Sequence, residues 1–92
     1  MKVFILTEGG KRVGFGHIVR CLALVQAFEE KKIFPEIIVN GDRCVAEFLK
    51  HKKYRVINWI KQKKRIFKLV KGADLVVIDS YLAKVDFYRE IE

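Results

Sequence analysis

Four short apolar runs, separated by segments with helical periodicity, constrain the fold of this chain more than any other feature. The runs cover residues 3–6, 36–40, 54–57 and 74–79. Continuous apolar runs of this length are typical of strands that are buried on both faces of a sheet. Strands that alternate with helices of about ten to fifteen residues indicate βαβ units and therefore a parallel sheet.

The segments between the strands predict helices over residues 17–31, 44–51 and 60–71, and the start of a further helix over 83–92. Apolar residues recur in the first of them at steps of three and four, at positions 18, 21, 22, 25 and 28. Asp42 is expected to cap the second helix and Gly72 to end the third. Right-handed crossovers favour strand order 3-2-1-4. We therefore predict an α/β, Rossmann-like fold with a parallel four-stranded sheet in this order and helices on both faces.

Composition is that of one small domain, residues 1–92, with 51% hydrophobic residues. A chain of this length buries roughly 60–65% of its unfolded surface on folding. No apolar run approaches the roughly 18–20 residues that cross a bilayer, and the apolar start has no cleavage site after it. We therefore expect a cytoplasmic protein without a membrane partner. Cys21 and Cys44 do not form a metal-binding pattern, and we expect neither a metal nor a cofactor.

The net charge of +8 is concentrated in one segment, residues 50–71, which contains ten Lys and Arg residues and no acid. Such a segment binds nucleic acid or an acidic partner, or it is simply a solvated helix face. The neighbouring aromatic residues, Trp59 and Phe67, are better explained as core residues than as stacking platforms for bases. We therefore favour the solvated face and expect no nucleic-acid partner.

The loop after the first strand carries the candidate chemistry, because Gly14, Phe15 and Gly16 lead directly into His17. Glycines let the backbone approach a ligand closely, and the first N–H groups of a helix favour an anion. The pair is not a dinucleotide fingerprint, since Val19 stands where the third glycine belongs, and the Gly-Lys-Ser/Thr ending of a P-loop is missing. A tight turn between strand and helix, without a ligand, explains the glycines equally well.

His17 is the candidate catalytic residue of this loop. Histidines in the first turn of a helix lie at the positive end of the helix dipole, which disfavours their protonated form. A neutral histidine can accept a proton from water or from a hydroxyl group. The alternative is that His17 only packs or caps at the loop.

The stretch GGKRVGFGHIVRCLAL, residues 9–24, resembles the loop of the UDP-sugar hydrolases of pseudaminic acid biosynthesis (PseG) and of their spore-coat polysaccharide relatives (SpsG). These relatives are nucleotide-sugar enzymes of the glycosyltransferase-B fold. A second block, DLVVIDSY at residues 74–81, is similar to the acidic-aromatic turn after a late strand of the family's N-terminal domain. Both blocks occur in family order and at a similar separation, so the resemblance covers essentially the whole chain.

The resemblance implies that the chain is the N-terminal half of a glycosyltransferase-B fold, whose C-terminal domain, absent from this sequence, holds most of the uridine diphosphate. It implies a UDP-linked amino sugar as substrate and its cleavage by water, or transfer of the sugar in a related glycosyltransferase, during surface or spore-coat polysaccharide biosynthesis. His17 would be the general base, and Tyr81 would lie in the sugar site. The loop residues close to the substrate would be Gly14, Phe15 and Gly16.

Asp79, at the end of the fourth predicted strand, either orients His17 or a sugar hydroxyl, or forms a plain turn. Two positions differ from the hydrolases and favour the spore-coat branch. The hydrolases usually carry Arg-x-Asp just after the first strand, where this chain has Leu6-Thr7-Glu8, and often histidine where it has Ser80. Two other functions stay open: a basic binding module for nucleic acid or an acidic partner, and a folding unit without a ligand.

Overall fold

A computed structural model of the chain describes residues 1–11 and 13–80. The predicted helix over 83–92 and Tyr81 lie outside the described residues. The elements, in chain order, are β1 (Val3–Gly9), α1 (Gly16–Glu29), β2 (Glu36–Gly41), α2 (Val45–Leu49), β3 (Tyr54–Val56), α3 (Lys63–Val70) and β4 (Leu75–Ile78).

The four strands form one parallel sheet in the order β3-β2-β1-β4, which confirms the predicted fold class and strand order. All seven residues of β1 are buried, as expected for a central strand covered on both faces. Ile5 pairs with Ile37 on one side and with Val77 on the other. The chain passes from one side of β1 to the other between β3 and β4, so the strand order switches at the β1–β4 pair.

Alternate residues of β1 face opposite sides of the sheet, and each side has its own core. Phe4 and Leu6 belong to a core that α3 covers, and Ile5 belongs to a core that α1 and α2 cover. Helices therefore lie on both faces, as predicted. The first core also contains Ile38, Ile57, Trp59, Ile66 and Val70; the second contains Ile18, Cys21, Val25, Ile37, Val39, Val45 and Leu49.

Strand β1 extends three residues beyond its predicted end at Leu6. The apolar run stops there, but the backbone continues to pair with β2 as far as Gly9, which lies opposite Gly41. A Cβ atom on Gly41 would overlap the carbonyl oxygen of Gly9, so the two strand ends approach more closely than a side chain permits. Glu8, a polar residue, lies in this buried end of the strand.

Helix α3 begins at Lys63 rather than at residue 60. The side-chain oxygen of Asn58 accepts a hydrogen bond from the backbone N–H of Lys61 at 3.2 Å, and this turn delays the start of the helix. Gly72, with φ of 85°, follows the end of α3 as predicted, in a backbone conformation that glycine adopts readily.

Helix α2 differs from its prediction in two respects. Cys44, not Asp42, is its N-cap residue. The carboxylate of Asp42 instead accepts hydrogen bonds from the backbone N–H groups of Cys44 and Lys11, at 2.9 and 3.0 Å. The apolar pattern of residues 45, 48 and 49 predicts that Phe48 is buried, but it is 38% exposed, because its ring lies against Phe15 rather than in the core. Among the described residues no helix combines the length and apolar character needed to cross a membrane.

Candidate active site

His17 and Asp79 meet at the carboxyl ends of β1 and β4. His17 is the second residue of α1, and Asp79 directly follows β4. The imidazole Nδ1 lies 2.6 Å from Oδ1 of Asp79, and only 4% of His17 is exposed. Because β1 and β4 are parallel neighbours, the loop after β1 and the residue after β4 reach the same edge of the sheet.

Backbone hydrogen bonds fix both sides of this contact. Gly10 and Gly14 exchange two backbone hydrogen bonds, at 3.0 and 2.8 Å, and close the loop before α1 begins. Gly14 has φ of 82°, a conformation that favours glycine. On the other side the N–H of Asp79 donates to the carbonyl oxygen of Leu6 at 2.9 Å, which extends the β1–β4 pairing and places Asp79 beside β1.

Arg20, one turn after His17 on α1, also binds the Asp79 carboxylate and contacts both of its oxygens. Its Nε donates to Oδ2 at 3.1 Å, and its Nη2 donates to Oδ1 at 3.0 Å. Such two-pronged pairing of guanidinium and carboxylate is a strong, charge-assisted interaction. Arg20 was not among the residues predicted for the site. The sequence signal that could have identified it is its position three residues after His17, on the same helix face.

The pKa of Asp79 is lowered from its ordinary value. Partial burial of the carboxyl raises it, but the hydrogen bonds from Arg20 and His17 and their charges together lower it by more. The carboxylate is therefore ionised at neutral pH and accepts the Nδ1 proton of His17. A histidine that donates through Nδ1 carries its lone pair on Nε2. Arg20 Nη2 also lies 2.9 Å from Nδ1, since both groups converge on the same carboxylate oxygen.

Glu8 faces the second nitrogen of His17. Its Oε2 lies 3.8 Å from Nε2, and Glu8 is only 1% exposed. Its Oε1 accepts a hydrogen bond from the hydroxyl of Ser80. Sequence reasoning did not place Glu8 or Ser80 in the site, although Glu8 directly precedes the glycine loop. The imidazole therefore has a carboxylate on each side, and a proton taken up by Nε2 would face Glu8 while Asp79 stabilises the resulting cation.

The glycines of the loop leave open space beside this cluster. A Cβ atom added at Gly14 or at Gly16 would meet no heavy atom within 4 Å, so a ligand has room to approach the backbone there. The ring of Phe15 turns away toward α2 and stacks on Phe48, with ring centroids 4.5 Å apart. Tyr81, the remaining residue assigned to the sugar site, lies outside the described part of the chain.

Cys21, one turn further along α1, lies under the site but is part of the core. Burial raises the pKa of its thiol, which keeps the thiol protonated, while the nearby hydroxyl of Thr7 acts in the opposite direction. A buried thiol of this kind behaves as a small hydrophobic side chain. Among the described residues no group of three or more His, Cys, Asp or Glu side chains is arranged to hold a metal ion.

The lowered pKa of Asp79 predicts how stability changes in acid. The ionised carboxylate contributes stability above the ordinary pKa of 3.8, and this contribution is lost as pH falls through the lower pKa of the folded state. We expect Asp79→Asn to be less stable than the unaltered protein near neutral pH, and the difference to shrink as pH falls below 3.8. Urea denaturation at a series of pH values measures it. A difference in unfolding free energy that does not change with pH would contradict the ion pair.

Protein-family models, curated proteins and solved structures were each compared with the chain, and none of the three comparisons gives a match. The functional interpretation therefore depends on the residues at the β1–β4 edge and on the loop motif that leads into His17.

Proposed function

We propose that the chain is the N-terminal part of a nucleotide-sugar enzyme, foremost a UDP-sugar hydrolase, with a related glycosyltransferase as the nearest variant. The observation that carries the proposal is the 2.6 Å contact between Nδ1 of His17 and Oδ1 of Asp79; in a neutral imidazole that donates through Nδ1, Nε2 is the proton acceptor. The pair lies at the carboxyl edge of a parallel sheet, where the strand order switches, and ligands of open α/β sheets bind at this place. The resemblance of the loop motif supplies the substrate class.

In the proposed reaction, Nε2 of His17 removes a proton from water while the water oxygen attacks the anomeric carbon. The bond from that carbon to the diphosphate oxygen breaks, and its electron pair leaves with UDP. Asp79 and Glu8 stabilise the imidazolium, and attack opposite the leaving group inverts the anomeric centre. In a transferase an acceptor hydroxyl replaces water and the other steps stay the same. The C-terminal domain implied by the resemblance would hold the uridine diphosphate.

Oxygen labelling tests this proposal and separates its two variants. The full-length protein is incubated with a UDP-linked N-acetylated amino sugar in ¹⁸O water, and the products are analysed by mass spectrometry and NMR. A hydrolase releases UDP and a free sugar that carries ¹⁸O at its anomeric carbon with inverted configuration. A transferase attaches the sugar, without label, to an acceptor hydroxyl. If UDP is not released from any UDP-amino sugar, with or without acceptors, the proposal fails.

A polyanion-binding module is the second candidate, and the exposed charge of segment 50–71 favours it. Two ion pairs of this segment join Lys52 to Glu29 and Arg55 to Glu36. Around α3 the exposed cations are Lys61, Lys64, Arg65, Lys68 and Lys71. The helix is also strongly amphipathic, with Ile66 and Val70 buried, so solvation of one face explains the same charges.

We expect any binding of nucleic acid to this segment to be weak and insensitive to sequence. Binding through Lys and Arg contacts to phosphates releases counterions, so affinity should fall about 10³-fold or more between roughly 50 and 200 mM salt if six or more phosphates are contacted. Fluorescence anisotropy with two unrelated duplexes measures both properties. Tight binding that survives the higher salt and distinguishes the duplexes would favour the second candidate over the enzyme.

A further inference from the structure

A cleft of about 500 Å³ lies beside the glycine loop, on the side of β1 opposite Asp79. Its lining includes Gly9 and Gly10 after β1, Asn40 and Asp42 at the end of β2, and Asn58 and Lys61 after β3. The cleft therefore crosses the carboxyl ends of three adjacent strands, the edge at which parallel sheets bind ligands. Pockets for small ligands measure roughly 300–1,000 Å³, so this volume suits a molecule of one or two rings.

Two side-chain amides in the cleft have unused hydrogen-bonding capacity within the described residues. Asn40 is half-buried, and its amide makes no hydrogen bond to the described part of the chain. The oxygen of Asn58 accepts the backbone N–H of Lys61, while its amide nitrogen has no hydrogen bond to a described residue. An amide group presents both a donor and an acceptor, and so it matches a hydroxyl group in either role.

The charges of the cleft are balanced. Lys61 provides one positive charge and Asp42 one negative charge. The pKa of Asp42 is lowered because its carboxylate accepts the backbone N–H groups of Cys44 and Lys11, so this group is ionised at neutral pH. A phosphate or carboxylate ligand would meet Asp42 as a like charge, which favours a neutral ligand. The apolar side chain of the lining is Val13, and the described lining contains no aromatic ring on which a nucleobase would stack.

We propose that this cleft binds a neutral, hydroxyl-rich ring of monosaccharide size through Asn40 and Asn58. Such a ligand presents donors and acceptors together, carries no charge and leaves its C–H face for Val13. Two sources share this chemistry: the sugar portion of a nucleotide sugar bound at His17, and a separate sugar acceptor. Adjacent strands lie about 4.8 Å apart, so a ring in the cleft would be a close neighbour of the His17 site. The assignment of the ligand to one of these two sources rests on the proposed function, but the binding of a sugar ring in the cleft does not.

NMR titration of the ¹⁵N-labelled protein with N-acetylglucosamine tests the proposal. We expect shift changes at the backbone amides of Gly10 and Gly41 and at the side-chain amides of Asn40 and Asn58. One lost hydrogen bond to a neutral group corresponds to a roughly 2- to 10-fold weaker affinity. Asn40→Ala should show this loss. Asn58→Asp should show it too, because it keeps an oxygen that accepts the Lys61 N–H and removes the amide donor, although it also adds one negative charge to the cleft. Lys64→Ala, an exposed change outside the cleft, is the matched control and should leave the affinity unchanged.

Inorganic phosphate is titrated in parallel to test the charge argument. If N-acetylglucosamine causes no shifts in the cleft, or if phosphate causes the larger shifts there, the proposal is wrong. Repeating the sugar titration with saturating UDP-linked amino sugar separates the two sources: competition identifies the sugar of the nucleotide sugar, and an undiminished response identifies a separate acceptor. The sugar titration measures the cleft, and release of UDP by the full-length protein measures the proposed base, so failure of the cleft and failure of the proposed function are distinguishable.

Discussion

Full-length protein that carries His17→Asn is expected to turn over a nucleotide sugar about 10²- to 10⁴-fold more slowly than the unaltered protein, the usual contribution of a positioned acid–base group. Asparagine offers an N–H to Asp79 but has no group that accepts the proton of an attacking water. Nucleotide affinity should change little, because the resemblance assigns the diphosphate site to a C-terminal domain and not to His17. Steady-state release of UDP and equilibrium binding of UDP measure the two effects. Unaltered turnover in this variant would show that His17 is structural.

The second histidine of the chain supplies a matched control. His51 is exposed and has φ of 71°, a conformation that asparagine tolerates better than most residues. His51→Asn should therefore leave both turnover and folding close to normal. The two variants are not equivalent in stability. His17 is 4% exposed, so loss of its hydrogen bonds should cost about 1–3 kcal/mol of unfolding free energy. Turnover is therefore compared per folded molecule.

Trp59→Ala is expected to lower the unfolding free energy by about 3–5 kcal/mol. The indole is completely buried in the core beneath α3, and its Nε1 donates a hydrogen bond of 2.7 Å to the carbonyl oxygen of Thr7. Truncation therefore creates a cavity and removes a buried hydrogen bond at the same position. Small domains are stable by only about 5–15 kcal/mol in total, so much of the variant should be unfolded in moderate urea.

Two further variants separate the contributions to this loss. Trp59→Phe keeps most of the ring volume but lacks the N–H, and it should fall between the unaltered protein and the alanine variant. Phe34→Ala removes a ring that is 64% exposed, and we expect a change within about 0.5 kcal/mol. Urea denaturation followed by circular dichroism measures all three. A loss for Trp59→Ala no larger than that for Phe34→Ala would be incompatible with the described packing.

The order of the strands and the faces of the helices were predictable because they follow from local patterns. Continuous apolar runs indicated buried parallel strands, and the handedness of crossovers left few arrangements. The meeting of His17 with Asp79 was one of the interpretations left open, since both residues follow strands expected to be neighbours. Sequence alone did not decide between an orienting role for Asp79 and a plain turn, because that depends on the path of the backbone after β4.

Glu8 and Arg20 were missed for a different reason. An acid beyond the end of an apolar run looks like an exposed loop residue, but β1 continues to pair with β2 as far as Gly9, and Glu8 is buried within this extension. Arg20 is 57% exposed and lies on a helix with other polar residues, so its charge did not distinguish it. Its role appears only when Asp79, 59 residues later in the chain, is placed opposite.

The separation of His17 and Asp79 by 62 positions has a consequence for the chain while it is being synthesised. At about 5–20 residues per second, the ribosome adds Asp79 roughly 3–12 seconds after His17. Until β4 has emerged and paired with β1, the imidazole lacks the 2.6 Å contact with Asp79 that fixes its Nδ1 side, and Glu8 is its carboxylate neighbour on the other side. A nascent chain arrested before residue 75 would therefore contain the complete glycine loop and still lack Asp79, so the orientation of His17 depends on β4, a strand added well after the loop.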